Sequence, residues 1–262
     1  MSERAFVLYS NFKDRKSVDF SINTLHLFYS IYQLKMIAPE YDIILYSVDY
    51  RNTYLERYNI IDFNEKLKTL GVATILDTFC RYPENIYLDR VLIPFNDYIR
   101  SNYNYIISLD CDLEFFNKRA ILDRFFNLDI NCFSGVHYKN NKDMNCISAI
   151  LNVMNVKNIN NNMTVYDVDY FVNDYYDQCK FFNVSNYGLN NEEYVYGRMY
   201  YDKELSVDIK DVYGFIHHYY NDKGNDRKLN YINNIILKNT SFINYLKTIN
   251  LDDTVEFYRK SI

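Results

Sequence analysis

The first half of the chain alternates between short apolar runs and segments with a helical repeat of apolar residues. Residues 18–36 carry an apolar side chain every three or four positions, which predicts a helix packed on a sheet: Val18, Ile22, Leu25, Tyr29, Tyr32 and Met36. Four short apolar runs predict buried strands, at 4–11, 41–48, 71–78 and 105–110. Residues 88–99 predict a helix that Pro94 kinks. This alternation predicts an α/β fold with one Rossmann-like, mostly parallel sheet flanked by helices.

The second half of the chain is less regular. Apolar runs predict further strands at 130–136, 146–156 and 212–220. The Asn-rich segment 158–164 predicts a polar loop. Helical patterns predict helices near 167–177, 191–201 and 226–238.

The chain contains neither a linker rich in Gly, Ser or Pro nor an internal repeat. We therefore expect a single domain over 1–262 with two closely packed halves. Residues 1–112 are interpreted as a nucleotide-binding half and 113–240 as a metal and acceptor half. Residues 241–262 are interpreted as a C-terminal tail.

The composition excludes several classes of protein. A hydrophobic fraction of 48% with 24% charged residues is typical of a globular chain, and a net charge of −5 argues against nucleic-acid binding. Five cysteines without CxxC spacing favour a reducing compartment over a disulfide or zinc framework. The sequence shows no signal peptide and no membrane-spanning segment, so we expect a cytoplasmic protein. The many Tyr and few Gly fit an AT-rich viral or bacterial source.

Carboxylates follow directly on the strand predicted at 105–110. Asp110 and Asp112 are two positions apart, so in an extended chain their side chains share one face. Two neighbouring carboxylates repel each other unless a cation lies between them, and oxygen ligands select Mn²⁺ or Mg²⁺. Such an ion would hold a diphosphate and take up its charge. The alternative is that both acids are simply solvated.

A histidine pair with nearby cations is the second chemical signal. His217 and His218 lie near the end of the run at 212–220, and Lys223 and Arg227 follow. An imidazole would complete a metal site, and the cations would bind phosphate. We predict His218 as the ligand, because His217 would then face the core, although either residue remains a candidate. A surface loop carrying two histidines is the alternative.

The segment "NYIISLDCDLEFF" resembles the D-x-D segment of GT-A glycosyltransferases, especially the retaining type of glycogenin and the lipopolysaccharide galactosyltransferases. The resemblance extends over about 5–230 and weakens toward its end. It implies that Asp110, Asp112 and His218 hold Mn²⁺ or Mg²⁺. It further implies roles for three other groups of residues: Ser10, Asn11 and Arg90 as donor contacts, Lys223 and Arg227 as phosphate contacts, and Glu192 and Glu193 as catalytic acids.

The resemblance implies a hexosyltransferase that moves a sugar from a nucleotide-sugar, most simply a UDP-sugar, to an acceptor hydroxyl with retention of configuration. The acceptor would be a glycan, a protein or a small molecule. The chain departs from the pattern at Glu192 and Glu193, where the family has Asp-Gln, and a carboxylate there would also suit an inverting enzyme. A nucleotidyltransferase acting on a sugar phosphate and a non-catalytic binding protein with this fold are the alternatives.

Overall fold

A six-stranded sheet forms the centre of the computed structural model. The structure describes residues 3–11, 17–48, 60–111, 113–116, 119–128, 130–201, 206–218 and 229–261. The ten strands within these residues are β1 (Arg4–Asn11), β2 (Asp42–Val48), β3 (Val72–Thr78), β4 (Tyr105–Asp110), β5 (Leu113–Phe115), β6 (Phe133–Ser134), β7 (His137–Lys139), β8 (Asn145–Ile147), β9 (Leu151–Asn155) and β10 (Ile216–His218).

The helices of the described residues surround this sheet. The α-helices are α1 (Ser17–Ile37), α2 (Ile60–Leu70), α3 (Asp97–Asn102), α4 (Arg119–Phe126), α5 (Val156–Asn162), α6 (Val165–Phe181), α7 (Asn191–Tyr200), α8 (Ile209–Phe215), α9 (Thr240–Thr248) and α10 (Asp253–Ser261). A 3₁₀ helix spans Ile86–Phe95, and a π-helical turn spans Ile232–Ile236. Among the described residues, no helix combines the length and the apolar character needed to cross a membrane.

The strand order of the main sheet is β3-β2-β1-β4-β9-β6. Strands β1 to β4 run parallel to one another, whereas β9 runs antiparallel to both β4 and β6. Two small antiparallel pairs, β5 with β10 and β7 with β8, lie outside it. The expected α/β class with a mostly parallel sheet is therefore confirmed. Strands from both predicted halves of the chain contribute to the same sheet.

Both faces of the sheet are covered by apolar side chains. Along β1, Phe6 and Leu8 belong to one buried cluster, while Val7 and Tyr9 belong to the other, as the two-residue repeat of a strand requires. The first cluster includes residues of α1 and of the C-terminal helices, and the second includes residues of the 3₁₀ helix, α6 and α7. The segment interpreted as a tail thus contributes side chains such as Tyr258 to the core.

The first four strands and the helices predicted near 167–177 and 191–201 are confirmed as β1 to β4, α6 and α7. The helix predicted over 18–36 is confirmed as α1, but Met36 at its end is exposed rather than packed. Residues 88–99 are not one kinked helix. The 3₁₀ helix ends at Phe95, directly after Pro94, and Asn96 begins α3 by accepting hydrogen bonds from the amides of Tyr98 and Ile99.

Three other predictions for the second half are wrong in type or extent. Residues 158–164 lie mostly in helix α5, because Asn155 caps its start and Val156 and Ile159 are buried, which outweighs the low helix propensity of Asn. The apolar run at 212–220 begins as helix α8, capped by Asp208, and turns into strand only at Ile216. The runs at 130–136 and 146–156 shorten to β6, β8 and β9. Short apolar runs are ambiguous between helix and strand.

Candidate functional site

The carboxyl ends of β1 and β4 lie side by side at the point where the strand order reverses. Chain order runs from β1 outward through β2 to β3 on one side, and β4 then pairs with the other side of β1. Tyr9 of β1 is directly opposite Asp110 of β4, so Ser10 and the backbone of Asn11 lie at the same end. In open α/β sheets this switch point forms the ligand crevice.

Ser10 and Cys111 meet at this end of the sheet. Ser10 is buried, and the thiol of Cys111 donates to its hydroxyl at 3.7 Å. The side chain of Asn11 lies outside the described part of the structure. Ser10 and Asn11, the residues of β1 predicted to contact the nucleotide-sugar, therefore lie next to Asp110 in the sheet. The hydroxyl of Ser10 is buried within the protein.

Arg90 is the buried cation of the crevice. Its side chain is only 2% exposed, and its Nη1 donates to the Oδ1 of Asp110, whose side chain is 24% exposed. The guanidinium carbon lies 5.6 Å from the ring centroid of Tyr9, a cation–π distance. Within the described residues, Nε and Nη2 of Arg90 are buried and have no hydrogen-bond partner. Sequence analysis placed Arg90 and Asp110 in the site separately; the ion pair between them is a finding of the structure.

The charge of Arg90 is retained in spite of its burial. Burial opposes a guanidinium charge, but Asp110, Tyr196 and Glu192 outweigh this effect and raise the pKa of Arg90. The hydroxyl of Tyr196, on α7, donates to the main-chain carbonyl of Arg90 at 3.2 Å. A positive charge is thus fixed beneath the strand end by contacts from β1, β4 and α7.

Glu192 contributes a buried carboxyl to the crevice. It lies in the first turn of α7 and is 8% exposed. Its pKa is raised to about 8, chiefly by burial; Arg90 lowers this pKa, while Glu193 and Asp110 raise it. A carboxyl with a pKa near neutrality can both hold and release a proton under ordinary conditions, which general acid–base catalysis requires.

A left-handed turn sets the position of Glu192. Leu189, Asn190 and Asn191 have φ values of 53°, 65° and 43°, a conformation that asparagine tolerates better than leucine. The side chain of Asn191 is fixed at its Oδ1, which accepts from the Nδ2 of Asn85 at 2.8 Å and from the hydroxyl of Tyr175 at 3.1 Å.

Asn85 links this turn to the helix that carries Arg90. Its Oδ1 caps the 3₁₀ helix by accepting from the amide of Tyr87 at 3.2 Å, and its Nδ2 also donates to the carbonyl of Asn186 at 2.6 Å. One fully buried amide side chain therefore positions both the Arg90 segment and the Glu192 segment. Sequence analysis did not identify Asn85, since one Asn in an Asn-rich chain carries no distinguishing signal.

Glu193 has a different environment from Glu192. Its Oε2 accepts from the hydroxyl of Tyr138, and its Oε1 accepts from the amide of Ala149 at 2.8 Å. Asn190 donates to the same Tyr138 hydroxyl at 2.9 Å. Both carboxylate oxygens of Glu193 thus join α7 to β7 and to the segment after β8. Of the two predicted catalytic acids, Glu192 is the one placed beside Arg90.

Helix α1 fixes the chain that follows Asp110. The hydroxyl of Ser30 donates to the carbonyl of Leu113 at 2.8 Å. Gln33 makes a two-way contact with Phe115, donating to its carbonyl and accepting from its amide, both at 3.1 Å. The backbone of residues 113–115 is therefore held against helix α1 by these hydrogen bonds.

The structure describes only some of the residues predicted to bind the metal and the phosphates. Asp112, Lys223 and Arg227 lie outside the described residues, as do the side chains of His217 and His218. The backbone of β10 pairs His218 with Leu113 and His217 with Glu114, so both histidines flank the D-x-D segment. Among described residues no group of three His, Cys, Asp or Glu side chains forms a metal site.

The donor set fits a hard divalent ion as far as it is described. Asp110 offers a partly exposed carboxylate at the strand end, and oxygen donors of this kind suit Mg²⁺ or Mn²⁺. The buried Nε and Nη2 atoms of Arg90 have no hydrogen-bond partner among the described residues. The positive charge of Arg90 next to the carboxylate agrees with a site for an anionic ligand.

An open cavity of about 250 Å³ adjoins the first turn of α7. Its walls come from the segment around β7, the segment after β8, α7 and α8, and they are formed by Val136, Tyr138, Ser148, Ile150, Glu193, Ile209, Val212 and Tyr213. Glu193, which the resemblance implies as a catalytic acid, thus lines this cavity. This volume lies just below the usual range of small-molecule pockets, roughly 300–1,000 Å³.

No protein-family model and no curated protein sequence matches the chain. Solved structures similar to it include mouse xyloside xylosyltransferase 1 in its apo form, with 10% identity, a TM-score of 0.46, and coverage of 78% of this chain and 84% of that chain. A putative glucose-1-phosphate thymidylyltransferase from Bacillus anthracis, in complex with a sucrose, has 11% identity, a TM-score of 0.37 and coverage of 59% and 72%.

A third similar structure is 4-diphosphocytidyl-2C-methyl-D-erythritol synthase from Anaerococcus prevotii DSM 20548, with 8% identity, a TM-score of 0.34 and coverage of 78% and 88%. The expected resemblance to enzymes of the GT-A kind agrees with these neighbours. All three TM-scores are below 0.5, so the functional argument rests on the site itself.

Proposed function

We propose that this chain is a metal-dependent glycosyltransferase that moves a sugar from a nucleotide-sugar, most simply a UDP-sugar, to an acceptor hydroxyl. The observation that carries the proposal is the cluster of Asp110, Arg90 and Glu192 at the carboxyl end of β4. It combines a carboxylate for a cation, a buried positive charge and a carboxyl of raised pKa. These are the groups needed to bind a diphosphate and to exchange a proton with a hydroxyl.

Asp110, with Asp112 and His218, would hold Mn²⁺ or Mg²⁺. The bound ion would offset the negative charge that develops on the departing nucleoside diphosphate. Arg90 orients Asp110 through their ion pair, and its positive charge favours an anionic ligand in the crevice. Asn11 and the backbone at Ser10 would contact the nucleoside, while Lys223 and Arg227 would contact the diphosphate.

Glu192 is the group proposed to exchange a proton with the acceptor. Its burial excludes water, and its pKa of about 8 means that the carboxyl is mostly protonated at neutral pH and that its ionised form is basic enough to take a proton from an attacking hydroxyl. Glu193 keeps the first turn of α7 in place through its bonds to Tyr138 and Ala149. The catalytic role therefore goes to Glu192, and Glu193 becomes a positioning residue.

The proposed reaction retains the configuration of the donor sugar, as the resemblance implies. The anomeric configuration of the product, measured by ¹H NMR, tests this point. An α-linked product from a UDP-α-sugar supports retention. A β-linked product would assign inversion, with Glu192 as the base that deprotonates the acceptor.

The experiment that tests the function measures what is released from sugar nucleotides in the presence of Mn²⁺. We expect release of nucleoside diphosphate and a loss of about 10²–10³-fold in rate for Asp110→Asn, because the charge that stabilises the leaving group is lost. Asp97→Asn is the matched control, since its carboxylate is exposed on α3, away from the crevice. Release of pyrophosphate would identify a nucleotidyltransferase instead. Unchanged turnover in Asp110→Asn would contradict the proposed site.

A further inference from the structure

The cavity beside α7 is mainly apolar. Val136, Ile150 and Val212 form its floor and walls together with the rings of Tyr138 and Tyr213. Val212 is buried, whereas Ile209 and Tyr213 on α8 are 47% and 55% exposed and form the outer part. An apolar pocket that opens to solvent through an apolar rim favours a ligand with an apolar portion.

The polar groups of this cavity are mostly engaged within the protein. Both oxygens of Glu193 accept hydrogen bonds, from Tyr138 and Ala149. The hydroxyl of Tyr138 donates to Glu193 and accepts from Asn190. Recognition of a sugar ring needs several free donors and acceptors, since each hydroxyl transferred from water without a partner costs about 1–3 kcal/mol. The lining thus disfavours a polyol and favours a hydrocarbon group.

Two walls of the cavity are continuous in the chain with elements of the proposed catalytic site. Glu193 is next to Glu192 in the first turn of α7. Helix α8, which supplies Val212 and Tyr213, continues into β10, whose backbone pairs with the strand following the D-x-D segment. A group held in this cavity would therefore belong to a molecule that reaches the acceptor side of the site.

We infer that this cavity receives an apolar group of the acceptor, an alkyl chain or an aryl ring attached close to the hydroxyl that takes the sugar. The assignment of this apolar group to the acceptor rests on the proposed glycosyltransferase function. The binding of an apolar group follows from the lining alone. The substrate class is thus an amphipathic acceptor and not a free sugar.

The test compares octyl β-D-glucopyranoside, below its micelle concentration, with methyl β-D-glucopyranoside by calorimetric titration without nucleotide. The two probes differ only in the alkyl chain. We expect the octyl compound to bind about tenfold more tightly or better, because each buried methylene group adds to affinity. Ile150→Trp, which fills the cavity, and Ile209→Trp, which obstructs its rim, should each remove this preference.

Ile235→Trp is the matched control, because Ile235 is 43% exposed and does not line the cavity. This variant should retain the preference for the octyl compound. Equal affinity for the two probes, or a preference that survives in both lining variants, would overturn the inference. Donor hydrolysis without acceptor is measured alongside. If hydrolysis occurs and the preference is absent, only the cavity inference fails. If neither hydrolysis nor transfer to either glucoside occurs with any sugar nucleotide, the proposed function fails, and the acceptor assignment with it.

Discussion

At the scale of single residues, Glu192 has surroundings unlike those of an ordinary solvated carboxyl. Its pKa is raised from 4.5 to about 8, chiefly by burial, with Arg90 lowering it and the nearby acids Glu193 and Asp110 raising it. Between about pH 4.5 and pH 8 the folded chain therefore holds a proton that the unfolded chain has lost. The contribution of Glu192 to the free energy of unfolding consequently falls as the pH rises through this window.

Glu192→Gln should remove this part of the pH dependence. An amide does not ionise, so the variant should lose less stability than the wild type between pH 5 and pH 8, by about 1.4 kcal/mol for each unit of the pKa shift at most. Urea unfolding in EDTA at both pH values measures the difference. Glu65→Gln, at an exposed position on α2, should behave like the wild type. A wild-type slope in Glu192→Gln would contradict the assigned environment of this carboxyl.

Residue chemistry at the strand end could be predicted from sequence only in part. The apolar run before Asp110 identifies a strand. Asp110 ends this run, so the pattern places its carboxylate at the carboxyl end of the strand. The burial of Arg90 and its ion pair with Asp110 do not follow, because they depend on how the 3₁₀ helix crosses the strand ends. Tyr9 packs in the core and contacts Arg90.

At the scale of secondary-structure elements, the fit of α7 against β8 determines where Glu192 and Glu193 lie. Gly197, one turn after Glu193, faces β8 so closely that a Cβ atom would lie 2.1 Å from the carbonyl oxygen of Asn145. Backbone atoms cannot move aside as a side chain can. Only glycine permits this approach of helix and strand.

Gly197→Ala should therefore lower the free energy of unfolding by about 1–3 kcal/mol, the usual cost of overpacking, and should reduce activity by shifting the first turn of α7. Thermal unfolding and the turnover assay measure the two effects. Gly214→Ala is the matched control, because its Cβ would meet only the end of the Ile121 side chain, at 3.1 Å. The account of α7 is wrong if both variants are equally stable and active.

The pairing of β10 with β5 underlies the prediction for the histidines. The register of this pairing brings His218 opposite Leu113 and His217 opposite Glu114, the two residues that follow Asp112 in the chain. His218→Ala should raise the Mn²⁺ concentration needed for half-maximal activity, while His217→Ala should leave it unchanged. Exchanged results would assign His217 as the ligand, and unchanged metal dependence in both variants would exclude a histidine ligand from this pair.

The elements that sequence analysis misjudged share a physical cause. Helix α5 contains mostly Asn, and α8 is an apolar run with β-like residues, so local preference predicts neither. Each forms because a side-chain cap starts it and because buried residues, Ile159 in α5 and Phe215 in α8, fix one face. Tertiary packing of this kind is not visible in a local pattern.

At the scale of the whole molecule, the site is assembled from segments far apart in the chain. Asp110 ends a strand of the parallel sheet, Arg90 comes from the preceding 3₁₀ helix, and Glu192 comes from a helix on the same face of the sheet. The parallel sheet was predictable from the alternation of elements. The convergence of these three residues was not, although the resemblance assigned each of them to the site.

The most direct test of the central claim is the thermal stability of the wild-type protein with UDP, in Mn²⁺ and in EDTA. A ligand that binds only the folded state stabilises it by about 2.7 kcal/mol at a hundredfold excess over its Kd. If the strand-end site holds the diphosphate through a divalent ion, UDP should raise the melting temperature clearly in Mn²⁺ and only weakly in EDTA, and Asp110→Asn should lose the Mn²⁺-dependent part. Equal shifts in Mn²⁺ and EDTA, or no shift in either, would contradict the account.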